Sequence, residues 1–199
     1  MIPKLSTKAR IEEKSKKSRN LMTIFVAVIL LASIAGFAFE FNTSEQTKYK
    51  EFKFSQAANG LWQTSVNGKS IQTSLLPQDV ENITISGSID LNDFSGKIYY
   101  IAKSWNMQAM QELGNTLNAK QFQPACLPEQ ENETDCSDLP LKSCSDASFN
   151  QPIIIFKEAN ETSAEYSNYC LVLNTDLNDS SSSAKAADAA IFKINGILS

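Results

Sequence analysis

The chain of 199 residues contains no histidine. That removes the commonest general base and the commonest metal ligand, and with them Ser-His-Asp and Cys-His catalysis and most catalytic zinc sites. Glycine is scarce, at seven residues, and no Gly-rich phosphate-cradling loop is present. No cysteine precedes position 126, and no Cys-x-x-Cys pair exists for redox exchange. No internal repeat is visible. Nothing in the sequence marks a catalytic residue or a residue that would hold a cofactor or metal.

Charge is present but unevenly spread. Residues 1–20 hold seven Lys/Arg against two Glu, a net of +5, and the rest of the chain holds eleven Lys/Arg against twenty Asp/Glu. The acidic part repels phosphates, so nucleic acid is not an expected partner. The basic part sits directly before an apolar run, where positive charge holds a flank in the cytoplasm.

That run, residues 21–39, reads LMTIFVAVILLASIAGFAF and carries no charge. At 1.5 Å per residue it spans roughly 28 Å, the thickness of a bilayer core, and it lacks the polar stripe of a soluble helix. The expected organisation is a basic cytoplasmic tail (1–20), a transmembrane helix (21–39), a polar linker (40–48) and an extracytoplasmic domain (49–199). The rival reading is a cleavable signal peptide, for which Gly36-Phe37-Ala38 offers a small-x-small site; the run is longer than the usual h-region. Under that reading the domain is secreted instead of held at the cell membrane.

Four cysteines, Cys126, Cys136, Cys144 and Cys170, cluster in this domain. Outside the cytoplasm an even cluster reads as two disulfides, with three possible pairings. The favoured one joins Cys126 to Cys136, closing a polar loop, and Cys144 to Cys170, tying a strand start to the neighbouring strand. Five N-x-S/T sequons follow the apolar run, at Asn42, Asn82, Asn132, Asn160 and Asn178. They are glycosylation candidates in a host that modifies surface proteins. Asn82 falls in a predicted strand and is the least suited to modification.

The domain reads as α+β: a mixed sheet with an N-terminal hairpin and two helices packed on one face. A strand is predicted over 49–54. Asn67-Gly68 between 61–66 and 69–73 marks a two-residue hairpin turn. Strands are expected over 82–89 and 97–101, then a helix over 106–119 with Met107, Met110, Leu113 and Leu117 on its buried face. A strand over 122–127 would complete a parallel crossover. Apolar strands over 153–156 and 169–173 are predicted neighbours. A last helix ends near Ile194, with Ala187, Ala190, Ile191 and Ile194 inward, a serine of 179–183 as its N-cap and Gly196 as its C-cap.

The stretch Cys136-Ser137-Asp138-Leu139-Pro140-Leu141-Lys142-Ser143-Cys144-Ser145-Asp146 and the ending, where a Cys-led apolar strand leads to Ala186-Ala187-Asp188 and Phe192-Lys193-Ile194-Asn195-Gly196-Ile197, resemble a group of uncharacterised, membrane-anchored archaeal proteins. The resemblance covers the C-terminal third. It implies a surface location and supports disulfides, and it carries over no activity.

Two chemical patterns merit a test. Ser182-x-x-Lys185 has the spacing of a Ser-Lys dyad but lacks the companion motifs S-D-N and K-T-G, and helix capping is the competing reading. Glu129, Glu131, Glu133 and Asp135 match no EF-hand spacing and read as a solvated acidic loop. The early aromatics Tyr49, Phe52, Phe54 and Trp62 belong to the core or, if outward, to a contact surface. The expected function is a membrane-anchored extracytoplasmic binding or scaffold domain for a protein or envelope partner. The alternatives are an accessory subunit of a membrane complex and an extracytoplasmic hydrolase.

Overall fold

Residues 22–30 form a helix, α1, in the computed structural model, which describes residues 22–30, 46–117 and 119–198. All nine α1 residues are exposed. They lie inside the predicted span; position 21, positions 31–39, the basic tail and Asn42 lie outside the described residues. Among the described residues, no helix is long and apolar enough to cross a membrane. The chain divides into two units, Met1–Ser44 and Glu45–Ser199.

The second unit opens with a four-stranded antiparallel meander: β1 (Gln46–Tyr49), β2 (Phe52–Gln56), β3 (Trp62–Val66) and β4 (Lys69–Thr73). Asn67 and Gly68 take φ of 51° and 79°, as a type I′ turn requires, and pair Val66 with Lys69. From Gln46 on, the end of the predicted linker and the predicted single strand form a second hairpin. Lys50 turns the chain at φ 51° and Tyr49 pairs with Phe52. β1 escapes notice because Gln46-Thr47-Lys48 is a polar edge strand with no apolar alternation.

A second, six-stranded sheet holds β5 (Thr84–Ser86), β6 (Lys97–Ile101), β7 (Gln121–Pro124), β8 (Ile153–Ala159), β9 (Ser163–Ser167) and β10 (Cys170–Asp176), in the order β5-β9-β10-β8-β6-β7. The predicted 82–89 strand shrinks to three residues. Gly87 leaves it at φ +88°, where a Cβ would stand 2.0 Å from the Tyr166 carbonyl oxygen. β9 has no counterpart among the predicted strands; Asn168 and Tyr169 turn it into β10 with φ of 49° and 64°. β6 and β7 are parallel neighbours joined through the helix α3 (Met107–Thr116), as expected of the crossover, and β8 and β10 are parallel neighbours. A four-residue helix, α2 (Pro77–Val80), begins at a proline.

The domain is therefore α+β with two sheets instead of one. The last helix, α4 (Ser182–Ile194), lies between them. Seven consecutive residues, Ala186 to Phe192, are buried, which one packed face cannot do. β9 and β10 cover one side of α4; on the other, Phe192 meets Phe54 of β2 edge-to-face at 5.9 Å. Gly196 stops α4 at φ +70°, and the Gly196 and Ile197 amides donate to the Lys193 and Phe192 carbonyls at 3.1 and 2.9 Å. Ile197 and Phe192, both fully buried, add the apolar contact of a Schellman motif.

The opposite face of the larger sheet forms a smaller core of Tyr99, Ile101, Ile153, Ile155 and Cys170 beside Ala125, Leu127 and Ala147 of the long β7–β8 loop. β8 is thus buried on both faces through Phe156, as its apolar run suggests. The loop is pinned by disulfides Cys126–Cys136 and Cys144–Cys170, the favoured pairing. The two bonds fit an oxidising, extracellular compartment.

Candidate binding crevice at the strand ends

Strands β10, β8, β6 and β7 all run parallel, so their carboxyl ends emerge at one edge. In α/β sheets such edges are where ligands collect. The turn after β6 carries Lys103, Ser104, Trp105 and Asn106 into α3. The turn after β10 carries Leu177 to Ser181 into α4. Asn106 is buried and joins the two: its Nδ2 donates to Ser183 Oγ at 2.7 Å, and its Oδ1 accepts the Lys103 amide at 3.2 Å.

Trp105 is 58% exposed and Leu177 61% exposed, and both line a cleft of about 290 Å³ with Thr175, Asp176, Asp179, Ser180 and Ser183. A second cleft, about 380 Å³, runs from Lys103 and Trp105 beneath the disulfide loop to Gln130, Glu133, Asp135 and Leu139. The Lys103 ammonium lies 5.0 Å from the Trp105 ring centroid and pairs with Glu158 at the end of β8. Asp179 collects the Lys185 ammonium at 2.7 Å, the Ser181 hydroxyl at 2.6 Å and the Ser181 amide at 2.9 Å. These donors hold its pKa down at about 2. Glu133, Asp135, Glu158, Asp176 and Asp179 outnumber Lys103 and Lys185, so the crevice is acidic around an apolar centre.

The Ser182–Lys185 pattern does not form a dyad. Ser182 is buried, and its Oγ accepts the Asp176 amide at 2.7 Å and bonds the Thr162 hydroxyl at 2.6 Å, while Lys185 is engaged by Asp179. Nor does a serine side chain cap α4; Asp179 takes the free Ser181 amide instead. Glu129, Glu131, Glu133 and Asp135 stand exposed, and among the described residues no three His/Cys/Asp/Glu side chains group to hold a metal. Phe54 is buried, and Tyr49, Phe52 and Trp62 pack against the core, so these aromatics are structural. Met107, expected inward, is 43% exposed and borders an apolar groove of about 540 Å³ with Met110, Gly114, Tyr100 and Phe122.

The four described sequon asparagines are all exposed. Asn82 lies in a turn before β5, not in a strand. β5 pairs Thr84 with Ser163, and Ser163 lies opposite Asn174, so Asn82 stands at the same sheet edge as Asn160 after β8 and Asn178 after β10. Asn132 sits in the loop between Gln130 and Glu133 of the second cleft. The sequence offers Trp105 as an isolated aromatic between a strand and a helix, a recognisable position in hindsight, whereas Leu177 bears no mark. No family model matches the chain, and no curated protein or solved structure is similar to it.

Proposed function

We propose that the chain is a membrane-anchored extracytoplasmic binding domain that engages a protein partner through the strand-end crevice. The observation that carries this reading is the exposed pair Trp105 and Leu177 on a shared cleft. A large exposed aromatic beside an apolar neighbour, within a polar rim, has the anatomy of a contact hot spot. The acidic rim selects a partner that presents an apolar side chain among basic groups. Anchoring is supported by α1, whose nine residues expose Met22, Ile24, Phe25, Val26, Val28, Ile29 and Leu30. An apolar surface on every side of a helix belongs in lipid, and the charge-free sequence runs on to Phe39 behind a basic tail. The disulfides and sequons agree with an extracellular domain.

The same exposed α1 favours one second reading, an accessory subunit held in a membrane complex by its helix. Cross-linking mass spectrometry on membranes bearing the full chain, kept unreduced, separates the two. Links from Lys103 or Lys185 to one partner, lost in Trp105→Ala and kept when the apolar run is replaced by an unrelated anchor, support the crevice. Links that survive Trp105→Ala and vanish with the anchor swap support the helix. The absence of any reproducible link to the domain overturns the binding reading.

A further inference from the structure

Asp188 occupies the centre of α4 in a run of four alanines and is fully buried. Its Oδ2 accepts the Leu75 amide at 2.8 Å, from the loop that leaves β4. Its Oδ1 is buried and, among the described residues, has no hydrogen-bond partner. The neighbouring carboxyl is that of Glu112 on α3, 3% exposed, which holds Ser74 while Asp188 holds the next residue, Leu75. Glu112 is already an acceptor three times over, from the Ser74 amide at 3.1 Å, the Ser74 hydroxyl at 2.5 Å and Gln108 Nε2 at 3.3 Å.

Two buried carboxylates that accept from adjacent residues of one loop repel, and neither can donate. A single proton resolves both problems: placed on Asp188 Oδ1, it supplies the missing donor and removes one charge. The charged groups on the surrounding elements do not substitute for it. From β4, the Lys69 ammonium donates to the Thr116 carbonyl at the end of α3. From α2, Asp79 accepts the Leu76 amide. On α4 itself, Lys185 is held by Asp179, and from β9, Tyr166 donates to Asp93. The Glu112 charge acts on Asp188.

We infer that Glu112 and Asp188 share one proton, and that this proton fastens the β4–α2 loop, and with it the four-stranded sheet, to helices α3 and α4. The joint is complete in acid and weakens as the pH rises. Burial first, then the Glu112 charge, raise the Asp188 pKa well above 3.8. A carboxyl whose folded pKa exceeds its unfolded value contributes its full stability below the unfolded value and loses it as pH climbs through the folded one. The absent histidines make the effect readable, because no side chain of ordinary pKa titrates between about pH 5 and pH 8.

The test is thermal unfolding of the full chain in detergent from about pH 4 to about pH 8, for the wild type, Asp188→Asn and Glu112→Gln. The side chain introduced by Asp188→Asn carries a permanent amide donor toward Glu112 and keeps the acceptor for Leu75, so it imitates the protonated acid. The wild-type Tm is expected to fall as pH rises, with Asp188→Asn matching it in acid, exceeding it at the alkaline end and showing a flat profile. Parallel profiles for wild type and variant overturn the proposal. Should neither variant fold, ¹³C-carboxyl NMR of the wild type decides: one Asp carboxyl still protonated at about pH 6 sustains the shared proton, and complete ionisation of every Asp by then overturns it.

Discussion

Asn106, at the start of α3, hydrogen-bonds Ser183, at the start of α4, at 2.7 Å. The two turns that present Trp105 and Leu177 are thereby tied to each other, although β8 separates their strands in the sheet. For the proposed binding role, such a tie lowers the entropy that would be lost on binding.

Asn106→Ala leaves Ser183 unpaired and frees the Lys103 amide. The expected cost is about 1–3 kcal/mol of stability, measured by urea unfolding of the full chain in detergent. Trp105→Ala is expected to stay within about 0.5 kcal/mol of wild type in the same assay, because the side chain is mostly exposed.

The disulfides differ in reach. Cys144–Cys170 spans a sequence separation of 26 and ties the long loop to β10, whereas Cys126–Cys136 closes a separation of 10 within that loop. The paired replacement Cys144→Ser with Cys170→Ser is expected to cost about 3–4 kcal/mol and that of Cys126 with Cys136 about 3 kcal/mol. Denaturant midpoints measured without reductant check the order.

At the acid end the sign of the pH dependence reverses. The Asp179 pKa lies below its unfolded value, at about 2, first through the Lys185 hydrogen bond and then those of Ser181. Its contribution is present above the unfolded value and lost as pH falls through about 2. Asp179→Asn is expected to lose stability relative to wild type near neutrality and to converge with it in strong acid, as read by Tm against pH.

Much of this fold was legible from local chemistry. Asn67-Gly68 fixed one hairpin, Gly196 one helix end, and the apolar run from Ile153 the central strand. Of three possible cysteine pairings, the one favoured because it closes a polar loop and ties a strand start to its neighbour is the one found. What escaped depends on the division of the strands into two sheets. β1 is too polar to read as a strand, and β9, although Ala164 and Tyr166 alternate with polar residues, holds no β-branched residue to mark it. Without the four-stranded sheet, whose Phe54 meets Phe192, α4 looks one-sided. Met107 fails in the opposite sense: its period matches the buried face, but it lies in the first turn, beyond the packing partners of Met110 and Leu113. The crevice was the least legible part, because it is assembled from two turns more than seventy residues apart.

The binding role of the crevice is decided by a photo-reactive amino acid placed at position 105 in the full chain, and at Lys53 of β2 as an exposed control, in membranes of the native host. The predicted result is one protein captured at position 105, not at 53, with basic residues at the captured site. Equal capture at both positions, or none at 105, contradicts a partner seated on Trp105.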